Sequence, residues 1–320
     1  MGSKPIVRPP KLGAGSRVAL VAPAGPLLER DDLTRAQALC RALAYEPLLG
    51  KNAHAHYGYF AGTDEERLSD FNSALSDPSI DAIWCIRGGY GSIRLLDRLE
   101  YQALAAHPKV VIGFSDISAV LNAITQLTGL VTFHGPVARS SMSAFTRQHF
   151  ERMLSRPVAA GRLNRIPDPS GVVIPQEHRI VTLTGGAAEG RLLGGNLTLL
   201  QCLVGTPYFP NLAGAILFLE DVGEDLYRID RMLAHLRLSG ALRHLAGVLI
   251  GRFTDLERSN RDGALGFDEV LANYLAPLRI PVAYGFPVGH IDNQWTLPLG
   301  VLARLDADAG ELDVLESAVV

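Results

Sequence analysis

The sequence predicts an α/β protein: a parallel sheet covered by helices in the first half, and a second, smaller α/β unit in the last. Three observations carry this. Apolar runs of strand length alternate with helix-period segments from residue 17 to 129, and Gly or Pro marks the turns between several of them. A Pro- and Gly-containing stretch with little helical period, residues 156–178, then separates this half from a second alternation of the same kind. Parallel strands need long crossover connections, so repeated strand–helix units are what a parallel sheet requires.

Taken in order, Arg17 to Ala22 (RVALVA) is a buried strand stopped by Pro23 and Gly25. Leu33, Ala36, Leu39, Cys40 and Leu43 share one face of a helix from Leu33 to Ala44. Thr63 opens the next helix, to Leu75, with a Thr-x-x-Glu capping box. Ala82 to Ile86 (AIWCI) is a strand, and Gly91 to Leu99 begins another helix. Val110 to Phe114 and Ile117 to Leu127 form the next strand and helix, the latter closed by Gly129. The expected division is residues 1–155, a linker over 156–178, and a second unit over 179–320. After Gly190 to Gly195, that unit holds helices at Asn196 to Leu203 and Tyr227 to Ser239, and strands at Ala215 to Leu219 and Gly247 to Ile250.

A chain of 320 residues favours two cores over one. Its 48% hydrophobic and 20% charged residues are those of an ordinary globular protein. A net charge of −3 supplies no cationic field for nucleic acid. Cys40, Cys85 and Cys202 are odd in number and widely spaced in apolar sequence, so they are expected to be reduced core residues rather than a disulfide framework or metal site. The amino terminus lacks a signal-length apolar stretch, and no later run reaches membrane-spanning length. A cytoplasmic protein without a membrane partner is expected. Ile6 stands where a myristoylation signal has Ser or Thr.

Ligand chemistry in open parallel sheets gathers at the carboxyl ends of the strands. Two unusual turns lie there. In KVVIGFSDISAVLNAITQ (Lys109 to Gln126) an apolar strand leads through Gly113-Phe114-Ser115 directly into a helix, the local plan of a nucleophile elbow. Such a turn exposes the Ser115 hydroxyl and sets the Asp116 N–H at a helix start, where a developing oxyanion is stabilised. Ile117 replaces the second glycine of the familiar Gly-x-Ser-x-Gly, which argues against the α/β-hydrolase superfamily; a plain capping role for Ser115 or Asp116 fits the segment equally. In Arg87-Gly88-Gly89-Tyr90-Gly91 the glycines let backbone N–H groups approach a ligand. That loop lacks the Lys and Ser or Thr of a Walker motif and the GxGxxG spacing, which leaves phosphate binding and a plain turn as alternatives.

A serine nucleophile needs a base. The candidates are His54, His56, His107, His134, His149, His178, His235, His244 and His290. His235 and His244 lie in or beside a charged amphipathic helix and His107 at a helix end, which suits surface or capping roles. His134 follows a strand and suits a supporting place, while His290 sits in the loop GFPVGHIDNQWTLPLG, free to reach a cleft. Glu220 and Asp221 follow the apolar strand AILFL, placing a carboxylate at its carboxyl end; a turn or helix cap within EDVGED is the other reading. No His/Cys spacing suggests zinc, and HExxH is absent.

Together, RGGYGS (Arg87 to Ser92), GFSDIS (Gly113 to Ser118), FHGP (Phe133 to Pro136), GGNL (Gly194 to Leu197), LFLEDVGE (Leu217 to Glu224) and GHIDNQWTLPLG (Gly289 to Gly300) resemble the LD-carboxypeptidase family, in order and over nearly the whole chain. The resemblance implies a flavodoxin-like amino-terminal domain carrying a serine, and a smaller carboxy-terminal α/β domain carrying Glu and His. Carried onto this chain, Ser115 is the nucleophile, His290 the general base, and Glu220 the residue that orients and charge-stabilises it. Gly89 and Asp116 donate backbone N–H groups to the oxyanion, and Arg87, Gly88 and Tyr90 are candidate substrate contacts. The implied reaction releases terminal D-alanine from murein tetrapeptide during cell-wall recycling, with no metal or cofactor; a homodimer is the assembly expected with it. Related microcin-immunity peptidases cleave aminoacyl-nucleotide conjugates, though FHGP and GFSDIS look closer to the murein branch. A module of another class, binding phosphate or nucleotide through RGGYG without catalysis, is the remaining alternative.

Overall fold

The computed structural model describes residues 4–166, 179–256 and 265–320. In the first half, β1 (Arg17–Val21), β2 (Glu46–Leu49), β3 (Ala82–Cys85), β4 (Val110–Gly113) and β5 (Thr132–His134) form a parallel sheet in the order β2-β1-β3-β4-β5. This is the flavodoxin order, whose switch point lies between β1 and β3. The connecting helices are α1 (Asp32–Ala42), α2 (Asp64–Ser76), α3 (Ala103–Ala106), α4 (Ser118–Thr128) and α5 (Ala144–Leu154). Helix α2 starts at the expected capping box, with Glu66 N–H donating to Thr63 Oγ1 and Thr63 N–H to Glu66 Oε2. The segment expected to continue as a helix from Gly91 is instead a 3-10 helix, Ser92–Arg98. Its first turn is drawn sideways, because Ser92 spends both its N–H and its hydroxyl on Asp116.

The second half contains β6 (Gly161–Arg162), β7 (Val181–Thr184), β8 (Ala187–Asn196), α6 (Leu197–Leu203), β9 (Ile216–Val222), α7 (Leu226–Leu238), β10 (Gly247–Thr254), α8 (Phe267–Leu275), β11 (Val282–Tyr284), β12 (Leu297–Leu299), β13 (Leu302–Asp306) and β14 (Glu311–Val314). Its sheet runs β6-β14-β13-β8-β9-β10-β11-β7, with β8 to β11 parallel and antiparallel strands at both flanks. Strand β12 leaves this unit and pairs antiparallel with β5, making the first sheet six-stranded. His178 and the 167–178 part of the expected linker lie outside the described residues, whereas residues 161–162 of that stretch are the strand β6.

Helix α4 is packed between the halves. Ser118 through Thr125 are all buried, and α4 packs on β4 and β5 on one side and on α6 and β8 on the other. Each of its buried Val, Leu and Ile side chains contributes about 1.5–3 kcal/mol of burial. Polar bonds set the register of the two halves: Asn122 Nδ2 donates to Gly194 O at 2.8 Å, and Asn196 N–H to Ser118 Oγ at 3.0 Å. Of the cysteines, Cys40 and Cys85 are buried and free as expected, but Cys202 corrects the expectation of a core residue: it is exposed, on the outer side of α6. Among the described residues no helix is long and apolar enough to cross a membrane.

Candidate active site

Strand β4 is buried along its length and ends at Gly113; Phe114 is extended, and the chain then reverses into the 3-10 turn Ser115–Ile117 that feeds α4. Ser115 holds φ at +61°, a left-handed conformation costly for a residue with a Cβ. Strain of this kind, at a serine on a strand-to-helix turn, is the hallmark of an elbow that pushes the hydroxyl outward.

The loop after β3 is fitted against this elbow. A methyl group on Gly88 would lie 2.8 Å from Ser115 Cβ and 3.1 Å from its Oγ, so only glycine fits there. Gly89 has φ of +109°, and a side chain on it would strike Gly25 Cα. Gly25 N–H holds the loop by donating to Gly88 O at 2.9 Å. The N–H groups of Gly88 and Gly89 have no hydrogen-bond partner among the described residues, which leaves them available beside the Ser115 hydroxyl. The Asp116 side chain points inward and staples the loop to the elbow, accepting from Ser92 N–H at 2.8 Å and Gly91 N–H at 3.2 Å. Burial holds its carboxyl above the usual range against those hydrogen bonds.

Across the cleft, β9 runs past the expected Leu219 and includes both Glu220 and Asp221. Successive strand residues face opposite sides, so the two carboxylates part company. Glu220, fully buried, accepts from His290 Nδ1 at 2.9 Å. Asp221 turns to the start of α6, accepting from Asn196 Nδ2 at 2.8 Å and from Thr198 N–H and Oγ1–H at 2.9 Å each. Burial raises the Glu220 carboxyl, and the hydrogen bond and charge of His290 oppose that. The His290 ring, 22% exposed, lies with its centroid 4.8 Å from that of Phe114, the residue before Ser115. The structure therefore places the Glu220–His290 pair against Phe114, the residue that precedes Ser115, where the carboxyl ends of β9 and β4 face each other.

His134 supports this cluster from below. It is fully buried, edge-on to Phe114 and Phe218 at 6.0 and 5.3 Å, and burial together with the charge of His290 pushes its pKa down to about 3. Among the described residues neither of its ring nitrogens has a hydrogen-bond partner. Arg87 donates from Nη1 to Pro26 O and braces the loop after β1. Tyr90 is 54% exposed and joins Tyr59 and Phe60 in an aromatic cluster at the cleft's outer edge. Of the remaining histidines, His107 caps α3, His235 pairs with Gln201, and His149 is bonded within α5. Phe114, Ser118 and Asn196 position the site, and their signal in the sequence is their place in the GFSDIS and GGNL blocks. Among the described residues no group of three or more His, Cys, Asp or Glu is placed to hold a metal ion.

Comparison with known proteins agrees with this geometry. Residues 18–135 match the LD-carboxypeptidase N-terminal domain and residues 189–305 the LD-carboxypeptidase C-terminal domain. The chain is 38% identical to the murein tetrapeptide carboxypeptidase of Pseudomonas aeruginosa, over 91% of this chain and 94% of that one. It is 31% identical to the microcin C7 self-immunity protein MccF of Escherichia coli, over 81% and 80%. Among solved structures, a muramoyltetrapeptide carboxypeptidase from Oxalobacter formigenes superposes with TM-score 0.80 at 33% identity, covering 94% of this chain and 99% of that one. MccF in its wild-type apo state gives TM-score 0.88 at 26% identity, covering 98% and 100%. The elbow, the buried Glu–His pair, the flavodoxin-order sheet and these matches lead to one conclusion: the chain belongs to the LD-carboxypeptidase family of serine peptidases.

Proposed function

We propose that the protein is a murein tetrapeptide LD-carboxypeptidase that releases terminal D-alanine, with Ser115, His290 and Glu220 as its catalytic residues. The observation that carries the reading is the Glu220–His290 hydrogen bond facing a strained serine elbow. Glu220 fixes the tautomer with the proton on Nδ1, which leaves His290 Nε2 to take the Ser115 proton as Oγ attacks the carbonyl carbon of the scissile bond. The oxyanion is met by backbone N–H groups of Gly89 and Asp116. The same imidazole then gives its proton to the departing amine of D-alanine, and activates the water that hydrolyses the ester at Ser115.

The murein branch is favoured by the 38% identity to the Pseudomonas enzyme over nearly the full chain, against 31% over four-fifths of it for MccF. The test is a side-by-side assay on murein tetrapeptide and on a non-hydrolysable-linkage control and an aminoacyl-sulfamoyl adenosine. Release of D-alanine from the tetrapeptide, with the nucleotide conjugate untouched, is expected. Cleavage of the conjugate with no D-alanine released would overturn the assignment.

A further inference from the structure

Beside the triad lies a cavity of about 680 Å³ whose walls include His290, Phe114, Arg139, Gln294, Arg35 and Glu29. Its size is that of a ligand site, and one wall is the base of the proposed triad. Three arginines stand near it, and their bonding separates them. Arg87 is committed to the Pro26 carbonyl and does not line the cavity. Arg35 is spent on three carboxylates, reaching Glu29 and Asp32 at 2.7 Å and Asp31 at 3.4 Å. Arg139 is different. Among the described residues its side chain makes one hydrogen bond, Nη1 to Asp32 Oδ1 at a long 3.4 Å, while its buried Nε has none.

The Arg139 side chain keeps 33% of its surface exposed, so of a guanidinium's five donors it is the buried Nε–H that lacks an acceptor. Asp32 does not make up the deficit. This buried carboxylate already serves Arg35 and the N–H groups of Leu28 and Glu29, and those bonds with the Arg139 charge hold it below the usual range despite burial. The rim carboxylate Asp292 is exposed and makes no bond to Arg139. A second buried atom without a partner, Gln294 Oε1, belongs to the same wall and suits a peptide N–H. Arg139 itself follows β5, so it stands at the carboxyl end of the strand next to the one that delivers Ser115.

We propose that Arg139 is the specificity-determining residue that receives the terminal carboxylate of the peptide, the deficit in its hydrogen bonding being the complement of that anion. This rests on the carboxypeptidase reading above and names the group by which an exopeptidase would count one residue from the chain end. A carboxylate held there is matched by the planar Arg139 fork, whose paired N–H groups suit the bidentate contact that such anions favour.

The test measures binding and turnover of a murein tetrapeptide with a free terminal carboxylate and of the same peptide as its terminal amide. Calorimetry on Ser115→Ala is expected to give the acid on the order of 10- to 100-fold tighter binding than the amide, as loss of a charge-assisted pair implies. In Ser115→Ala/Arg139→Met the acid-to-amide ratio should fall to about one, and Arg139→Lys should restore part of it, since a point charge replaces the fork. A ratio unchanged by Arg139→Met, in protein whose Tm matches the parent, overturns the inference, as does a parent that never distinguishes acid from amide. Discrimination that depends on Arg139 but comes with no D-alanine release by the Ser115-intact protein would sink the carboxypeptidase reading and leave the inference standing. Release of D-alanine with discrimination indifferent to Arg139 would do the reverse.

Discussion

Replacing Glu220 by Gln keeps the shape of the His290 partner and removes its charge. The amide oxygen still accepts from Nδ1, so what is lost is the field that stabilises the imidazolium formed as Ser115 gives up its proton. Glu220 is fully buried and 2.9 Å from Nδ1, which puts the two charge centres about 4 Å apart. At an effective dielectric constant of about 20 that separation corresponds to about 4 kcal/mol, or on the order of 10³ in rate. Glu220→Gln should therefore lower kcat for D-alanine release by about 10²- to 10⁴-fold, the range bracketing the ~10⁴ known for amide replacement of a triad acid. Asp221→Asn provides the contrast. It weakens the cap on α6 at Thr198, at a cost of about 1 kcal/mol in stability, and should leave kcat near wild type. A coupled assay for free D-alanine, with Tm recorded for each variant, separates the two. Wild-type kcat in Glu220→Gln together with an inactive Asp221→Asn would refute the reasoning.

The remaining predictions concern the elbow and its floor. Because Ser115 sits at φ +61°, Ser115→Gly should be more stable than Ser115→Ala by about 1 kcal/mol in urea unfolding, with both inactive; equal stabilities would mean that the elbow is unstrained. Gly88→Ala puts a methyl 2.8 Å from Ser115 Cβ and should cut kcat/KM on the order of 10²-fold in a folded protein, whereas unaltered kinetics would detach that loop from the site. His134 has a folded pKa pushed from 6.5 to about 3, so between those values the unfolded chain binds the extra proton and stability rises with pH. Over that window His134→Phe should flatten the stability–pH slope by up to about 1.4 kcal/mol per pH unit, and parallel slopes for the two proteins would contradict a buried neutral imidazole.

The features readable in the sequence are those written in neighbouring residues. Thr63 and Glu66 announce their helix within one turn, and the run from Val110 through Ser115 into an apolar helix shows strand, turn and helix in contiguous order. What stayed closed depends on partners far along the chain. The choice between Glu220 and Asp221 follows from strand parity, and the parity needs β9 to continue past Leu219, which its apolar pattern does not reveal because two acids interrupt it before Val222. Strand β12 looks like part of its own unit until its pairing with β5, more than 160 residues earlier, is seen. The 3-10 course of Ser92–Arg98 is dictated by Asp116, and Arg139 acquires meaning only when the cavity places it beside His290. Cys202 misled because an apolar helix segment has an outer face as well as an inner one.

The central claim is that Ser115 forms an ester with the substrate. Acid quenching during turnover of murein tetrapeptide, followed by mass spectrometry of the digested protein, tests it directly. The account predicts the tripeptide acyl group on the fragment containing Ser115, accumulating further when deacylation is slowed, and neither adduct nor D-alanine release in Ser115→Ala. D-alanine released by Ser115→Ala at the wild-type rate, with no acylated fragment in either protein, would contradict it.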